Sequence, residues 1–285
     1  MRIVLVTATE LPVPEDVELP VLQAAASRAG LTADVACWDD PAIEWAGYDL
    51  ALLRSTWNYP SHLERFQAWV DATAAVTRLV NGPAIVHWNS VKTYLGDLHA
   101  AGVPTVPTTY LAPGEPVELP GYADIVVKPT VGSGARKARR FRGGTLSAAT
   151  AHVKWLHAEG HTAMVQPFQY RVETDGERAL VHVGGEFSHA IVKGAVLSSV
   201  TGVRGEHAHP DVRPYEPTAA EREVALAALA VAPEAPLYGR IDLVLDDTGS
   251  PIVMEAELIE PHLFLEHGPG AADRLLTAVK DLLAG

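Results

Sequence analysis

Charged side chains alternate along two predicted strands near the C-terminus, "LYGRIDLVLD" and "PIVMEAEL", which the turn "DDTGS" separates. If the tip of this hairpin is at residues 248–249, the register places Asp242 opposite Glu255 and Arg240 opposite Glu257. Side chains alternate between the two faces of a strand, so these four residues share one face. The other face, which we expect to join the core, holds Ile241, Leu243, Met254 and Ala256.

The carboxylates of Asp242, Glu255 and Glu257 would repel one another on that face unless a cation joined them. Hard oxygen ligands of this kind suit Mg²⁺ that accompanies a polyphosphate. The hairpin therefore indicates a magnesium site. The alternative is a solvated strand face on which Arg240 pairs with Glu257.

A second candidate site is the glycine-rich basic segment "VVKPTVGSGARKARRFR". Backbone N–H groups around Gly132, Ser133 and Gly134 can approach a phosphate closely, because glycine has no Cβ. The segment is not a Walker A loop or a dinucleotide-binding turn, because it lacks the spacing of either motif. It predicts phosphate binding, with a solvated basic loop as the alternative. Its six basic residues are Lys128, Arg136, Lys137, Arg139, Arg140 and Arg142.

The overall composition excludes several classes of function. The 285 residues carry a formal net charge of −13, which argues against nucleic acid as a partner. No apolar stretch reaches the roughly 18 residues that a membrane span needs. The single cysteine, Cys37, fits a reducing cytoplasm. We expect a cytoplasmic protein with no nucleic acid and no membrane as partners, and a homodimer as a candidate assembly. The amino-acid-like small molecule that we expect as its substrate is implied only by the family resemblance given below.

The elements that must position these residues divide into three predicted units. Residues 1–85 alternate short strands and helices, which predicts an α/β domain with a small parallel sheet covered on both faces. Residues 86–190 begin with the helix "NSVKTYLGDLHAAG", capped by Asn89 or Ser90, and contain the basic loop 128–142. Residues 191–285 form an α+β unit that holds the carboxylate hairpin.

The order of these motifs resembles that of the ATP-grasp ligases across nearly the whole chain. Lys92 lies in the predicted helix of the central unit, and Lys128 lies at the start of the basic loop. The resemblance implies that both lysines hold the phosphates of ATP, together with Ser133 and Gly134.

The remainder of the nucleotide site follows in the same order. "MVQPFQ" resembles the hinge strand of the family, whose backbone at Gln166, Pro167 and Phe168 would meet the adenine edge. The resemblance places the ribose-binding carboxylate at Glu177, with Glu173 as the alternative.

Asp242, Glu255 and Glu257 fall where the family holds its Mg²⁺ ions. Arg240 resembles the family arginine that faces the transferred phosphate, and Lys193 in "FSHAIVKG" would face the phosphates or the substrate. Most members have asparagine at the position of Glu257. Glu257 therefore remains open as either a metal ligand or a partner of Arg240.

The resemblance implies a three-lobed fold, with an N-terminal parallel-sheet domain and two α+β subdomains that grip the nucleotide. It also implies that ATP and Mg²⁺ activate a substrate carboxylate as an acylphosphate, which a nitrogen nucleophile then attacks. "LLRSTWNYP", "GGEFSHAIVKG", "VRPYEP" and "ELIEPHLFL" resemble the subgroup that includes the cyclo-ligase forming D-cycloserine from O-ureidoserine. The alternatives are an intermolecular carboxylate–amine ligase and a non-catalytic nucleotide-binding module.

Candidate substrate residues lie at the end of the third predicted strand, where an open α/β sheet presents ligand groups. Arg54 could bind a carboxylate bidentately there, and Ser55, Thr56 and Trp57 follow it. Packing of Trp57 and Tyr59 in a lobe interface is the alternative.

Further candidates lie in the C-terminal unit. Arg204 or Arg213 would supply charge from a long loop, and His262 stands where the subgroup is expected to have a small residue. His207 and His209 raise a zinc site as an alternative, but no third ligand has suitable spacing.

Overall fold

A computed structural model describes residues 1–12, 15–143, 145–197 and 211–285 of the chain. Three separate sheets organise the described residues. Arg204, His207 and His209 lie outside the described residues, so the expectations about them rest on sequence alone. Among the helices that are described, none is both long and apolar enough to cross a membrane.

The N-terminal sheet is parallel, as predicted. Its strands are β1 (Arg2–Thr7), β2 (Thr32–Cys37), β3 (Leu50–Ser55) and β4 (Arg78–Val80), in the order β2-β1-β3-β4. The two inner strands are almost continuously apolar because helices cover both faces of the sheet. The covering helices include α1 (Glu18–Arg28) and α2 (Leu63–Ala74).

The central unit contains an antiparallel sheet with the strand order β5-β8-β6-β7. Helix α5 packs its buried residues on this sheet. The elements from the end of the N-terminal domain onwards are α3 (Pro83–Asn89), α4 (Tyr94–Ala100), β5 (Thr109–Leu111), β6 (Ile125–Pro129), β7 (Arg139–Phe141), α5 (Leu146–Ala158) and β8 (Ala163–Pro167).

The predicted helix that begins at Asn89 or Ser90 is wrong. Asn89 ends α3, and residues 90–93 form a turn before α4 begins at Tyr94. The Asn89 side chain does not cap a helix, because its amide binds the backbone of Ala256 and Leu258 instead. Lys92 therefore lies in a connection between two short helices.

The C-terminal sheet is antiparallel, with the strand order β11-β10-β9-β12-β13. The elements of this unit are α6 (Val172–Asp175), β9 (Glu177–Val183), β10 (Glu186–Lys193), β11 (Arg213–Tyr215), α7 (Ala219–Ala230), β12 (Tyr238–Leu245), β13 (Pro251–Glu257) and α8 (Ala271–Ala284). The expected domain boundary between residues 190 and 191 cuts β10. Because β9 and β10 pair with β12 and β11 in one sheet, we place this boundary between β8 and β9.

The C-terminal helix joins the first lobe to the last. Leu275, Leu276 and Val279 of α8 are fully buried in one cluster with residues of β1 and β9. This cluster couples the parallel sheet to the five-stranded sheet through apolar contacts. The three-lobed α/β and α+β architecture is thereby confirmed.

Candidate active site

The carboxylate hairpin forms with the predicted register. Asp242 of β12 lies opposite Glu255 of β13, and Arg240 lies opposite Glu257. All four side chains therefore belong to one region of the sheet, where opposed residues approach within about 5 Å.

The strand pairing between the carboxylates and the turn differs from the prediction. The pairing shifts between Asp242 and Leu243, so that Leu243 faces Val253 and Met254 is an extra residue in β13. This β-bulge changes the direction of the strand next to the carboxylates.

The bulge also overturns the expected position of Met254. Its side chain packs with Val106, Phe168 and Ile252 in a cluster that joins the central and C-terminal sheets. Ile241, Leu243 and Ala256 lie in the core cluster, as predicted.

Asp242 is the most enclosed carboxylate of the hairpin, with 2% of its surface exposed. Lys193 Nζ donates to its Oδ2 over 2.7 Å, while Arg240 Nε and Nη2 donate to Oδ1 and Oδ2 over 2.8 and 2.9 Å. Burial alone would raise the pKa of Asp242, but the two cations hold it well below its usual range. Asp242 is therefore ionised throughout the physiological range.

Lys193 also binds a second carboxylate, because its Nζ lies 2.6 Å from Glu177 Oε1. Burial and the neighbouring Asp242 raise the pKa of Glu177 to about 7, although Lys193 opposes that shift. The predicted ribose carboxylate is thus part of the same charge network as Asp242.

Glu257 is bound to Arg240 through Oε1. Burial raises the pKa of Glu257, and Glu255 and Asp242 add to that effect, whereas Arg240 opposes it. Glu257 therefore shares the Arg240 guanidinium with Asp242, which agrees with the role of an Arg240 partner.

Lys92 connects the hairpin to the basic loop. Its Nζ lies 2.7 Å from Glu255 Oε1 and donates to the Gly132 carbonyl over 2.7 Å. Burial raises the pKa of Glu255, but Lys92 and Lys128 outweigh burial and lower it. Glu255 and Asp242 are consequently two ionised carboxylates that face each other, a donor set that fits Mg²⁺.

Lys128 lies near these groups, on β6. Burial and the Lys92 ammonium lower the pKa of Lys128, although Glu255 partly opposes them. Within the described part of the chain, no side-chain hydrogen bond or ion pair engages the Lys128 ammonium. It is therefore available for a phosphate.

The basic loop has an unusual backbone around the predicted phosphate residues. Gly134, Ala135 and Lys137 have φ values of 62°, 56° and 63°, in the left-handed region. The Ser133 hydroxyl accepts a hydrogen bond from Arg136, which also donates to the Trp57 carbonyl over 3.0 Å. The loop thus reaches from the central sheet to the N-terminal domain.

The predicted hinge spans the end of β8, because Gln166 and Pro167 belong to the strand and Phe168 follows it. Phe168 is buried, and the guanidinium carbon of Arg140 lies 3.4 Å from the centre of its ring. Arg140 also binds Glu173 Oε1 over 2.8 Å. The side-chain amide of Gln166 donates to Thr108 Oγ1, and its backbone pairs with β6. Pro167 is the last residue of β8.

The substrate contacts expected of Arg54, Ser55 and Thr56 are not available in this structure, because all three residues are fully buried. Arg54 Nη2 donates to Glu18 Oε2 over 3.0 Å and to the Pro261 carbonyl over 2.8 Å. The segment after β13 covers this end of the sheet, so Arg54 holds that segment and not a ligand. Ser55 is likewise engaged, because its hydroxyl donates to Thr7.

Trp57, His262 and Arg213 occupy different surroundings. Trp57 is half-buried, and its indole Nε1 donates to the Glu260 carbonyl over 2.8 Å. His262 is half-buried against the Phe264 ring. Arg213 is exposed on the edge strand β11, so the structure does not bring it together with the carboxylates.

Six consecutive backbone carbonyls after the hairpin, from Leu258 to Leu263, each bind a side chain over 2.6 to 2.8 Å. We call residues 258–263 the anchored segment. The donors, in the order of the carbonyls, are Asn81, Tyr238, Trp57, Arg54, Arg240 and His189. Sequence reasoning missed the roles of Asn81 and Tyr238, because a side chain that binds a distant backbone leaves no local pattern.

The sequence is similar to those of known proteins. A family described as the N-terminal domain of D-cycloserine synthetase DcsG matches residues 3–81. The cycloserine biosynthesis protein DcsG of Streptomyces lavendulae is 33% identical, with 99% of each sequence covered. The chain belongs to the D-cycloserine synthetase family of ATP-grasp ligases.

Solved structures agree with that membership. The crystal structure of D-cycloserine synthetase DcsG matches with a TM-score of 0.91 and 33% identity, covering 99% of this chain and 100% of that one. The ATP-grasp ligase PsnB, in complex with minimal precursor, Mg and ADP, shares the fold alone, with a TM-score of 0.65, 15% identity, and coverage of 99% and 98%.

As a member of this family, the chain is an ATP-dependent ligase that uses ATP and Mg²⁺. The chain's own residues fit that chemistry, because opposed ionised carboxylates and nearby cations occur together. Phosphoryl transfer asks a protein chiefly for positioning and for neutralisation of charge.

The availability of Lys128 leads to the first prediction. We expect Lys128→Ala to weaken binding of a non-hydrolysable ATP analogue with Mg²⁺ at least about tenfold, the effect of one charge-assisted contact. Isothermal titration calorimetry measures this affinity. Lys154→Ala, on the exposed side of α5, is the matched control and should bind like the wild type. Equal affinities for both variants would remove Lys128 from the phosphate site.

Proposed function

We propose that this protein closes a ring on an amino-acid-derived substrate of the O-ureidoserine type and releases a cycloserine-type product. The identity of 33% over 99% of the chain to a cycloserine biosynthesis protein supports this substrate class. Most of the chain's length takes part in that similarity, including the anchored segment. Intermolecular ligation of a carboxylate to an amine is the alternative within the same chemistry.

The observation that carries the proposal is the charge array on β12 and β13. Arg240 and Lys193 are both fixed on Asp242, and Lys92 is fixed on Glu255. Glu177 and Glu257 bind the same Lys193 and Arg240, so three cations and four carboxylates lie together. Bound Mg²⁺ would add the positive charge that offsets the repulsion between an anionic acceptor and a transferring phosphoryl group. Pre-positioned charges of this kind need no reorganisation during the reaction.

In the proposed reaction, the γ-phosphoryl group of ATP passes to an oxygen of the substrate carboxylate, and ADP leaves. A nitrogen of the same molecule then attacks the acyl carbon, the bond from that carbon to the phosphate oxygen breaks, and inorganic phosphate departs. The attacking nitrogen loses its proton as the ring closes. For O-ureidoserine, the carbamoyl group on that nitrogen then leaves by hydrolysis, as carbon dioxide and ammonia, to give cycloserine. No covalent bond to the protein forms, so no nucleophilic side chain is needed.

Individual residues have the following proposed roles. Asp242 and Glu255 would hold Mg²⁺, which neutralises charge on the phosphoryl group when it is bound. Lys92 and Lys128 would hold the phosphates from the side of the basic loop, and Arg240 would face the transferred group. We place the reaction in the cytoplasm, where ATP and amino acids are plentiful. We also propose that the protein is a homodimer, which analytical ultracentrifugation would test by measuring its mass in solution.

The test is to incubate the protein with ATP, Mg²⁺ and each enantiomer of O-ureidoserine, and to measure ADP release and the mass of the product. We expect ADP release that depends on the substrate, together with a cyclic product. Amide formation only after a second amine is added would favour the intermolecular ligase. Nucleotide binding without turnover across a panel of amino-acid substrates would favour a non-catalytic module.

A further inference from the structure

The anchored segment gives Glu260 a fixed position. Carbonyls on both sides of this residue, and its own carbonyl, are bound by side chains of Tyr238, Arg54 and Trp57 over 2.7 to 2.8 Å. These donors come from the N-terminal domain and from β12, so the segment cannot shift unless several elements separate. A side chain on such a backbone is presented in one direction, as a ligand-binding group requires.

Most carboxylates of the cleft already have a cation. Lys193 binds both Asp242 and Glu177, while Lys92 binds Glu255 and Arg240 binds Glu257. Glu260 differs, because no lysine or arginine of the described residues lies within ion-pair distance of its carboxylate. The half-buried Glu260 side chain is thus a carboxyl group without a bonded cation among the described residues.

The surroundings of Glu260 make that state unfavourable. Burial, followed by the charge of Glu257, raises the pKa of Glu260 to about 8, although Lys92 opposes the shift. After burial, the charge of Glu260 contributes to the raised pKa values of Tyr59 in the N-terminal domain and of Tyr238 on β12. A buried carboxylate of this kind is stabilised when a cation reaches it.

We propose that Glu260 binds the α-ammonium group of the amino-acid substrate. The assignment rests on the proposed function, which places the substrate carboxylate beside Arg240. Glu260 follows Glu257 by three residues, so it lies at most about 10 Å further along the chain. Arg240 also donates to the His262 carbonyl, two residues after Glu260, over 2.8 Å. One carbon atom separates the ammonium group of an α-amino acid from its carboxylate, so a substrate activated beside Arg240 would have its ammonium group near Glu260.

Glu260→Gln tests the assignment, because it keeps the shape of the side chain and removes the charge. We expect the KM for O-ureidoserine to rise about tenfold to a hundredfold, the effect of losing a charge-assisted hydrogen bond, with the KM for ATP unchanged. Glu260→Asp, which keeps the charge, should recover part of this loss. Glu266→Gln, at an exposed glutamate on the same loop, is the matched control and should behave like the wild type.

A substrate analogue in which hydrogen replaces the α-amino group supplies the second comparison. The wild type should bind this analogue more weakly than O-ureidoserine, and Glu260→Gln should bind the two with similar affinity in calorimetry. Equal losses toward both compounds, or a fall in kcat with an unchanged KM, would overturn the assignment and leave the proposed function standing. Absence of turnover by the wild type would instead overturn the proposed function and the assignment with it.

Discussion

Glu255→Gln should lower kcat by about a thousandfold or more, to near the background rate of ATP hydrolysis. Glutamine keeps the length of the side chain but removes the charge that faces Asp242 across the hairpin. A divalent cation held by one carboxylate would be bound weakly and misplaced relative to the phosphates. ADP release under saturating ATP, Mg²⁺ and substrate measures the effect.

The fold should survive this change. The Glu255 side chain is 24% exposed, and Lys92 keeps its hydrogen bond to the Gly132 carbonyl when its ion pair is lost. We therefore expect a circular dichroism spectrum like that of the wild type. Glu223→Gln, on the exposed side of α7, is the matched control and should retain full activity.

A companion variant separates the two glutamates of β13. Glu257→Gln should cost much less than Glu255→Gln, because Glu257 serves Arg240 in this structure. If Glu255→Gln kept wild-type turnover in Mg²⁺ and Glu257→Gln lost it, the metal site would have to move to Glu257.

Arg54→Ala should destabilise the protein by about 3–5 kcal/mol, the usual cost of removing one partner of a buried ion pair. Arg54 is 0% exposed and Glu18 is 1% exposed, so the variant leaves an uncompensated carboxylate in the interior. It also leaves the Pro261 carbonyl without its donor, which adds a desolvation penalty. Urea unfolding followed by circular dichroism measures the loss.

Two controls distinguish this effect from a general sensitivity to arginine removal. Arg65→Ala removes an exposed arginine that binds the Asp39 carbonyl, and it should cost less than about 1 kcal/mol. The double variant Glu18→Gln with Arg54→Met should recover part of the lost stability, because no buried charge then remains unpaired. Wild-type stability of Arg54→Ala, together with a raised substrate KM, would restore the original expectation that Arg54 grips the substrate.

The pairing of the acidic residues in the hairpin could be predicted from the local sequence pattern. Asp242 and Glu255 were paired correctly because strand alternation and the turn signal are both properties of neighbouring residues. The bulge at Met254 was missed, since one extra residue in a strand of this composition leaves the alternation ambiguous. Two opposite errors cancelled: Leu245 pairs with Pro251, one residue earlier than the assumed tip implies, and the extra residue Met254 restores the register at the acidic residues.

The surroundings of Lys92 and Arg54 could not be predicted from the local sequence pattern. The residues around Lys92 have a composition that favours a helix. The helix nevertheless ends before Lys92, because the Asn89 side chain binds the backbone of Ala256 and Leu258. Arg54 ends a parallel strand where ligands often bind, yet a segment more than two hundred residues later covers it. Neither contact could be seen in the residues that flank these positions.

By itself, then, the amino-acid sequence determined the parallel sheet of the N-terminal domain, the acidic face of the hairpin and the ordered motifs that resemble those of an ATP-grasp ligase. Tertiary structure alone decided which charge pairs with which. It places Arg54 in a buried ion pair that supports the fold, while Glu260 has no cation partner among the residues that the structure describes. The reason is physical. Periodicity and turn preference act between near neighbours in the chain, whereas burial and ion pairing depend on residues that only folding brings together.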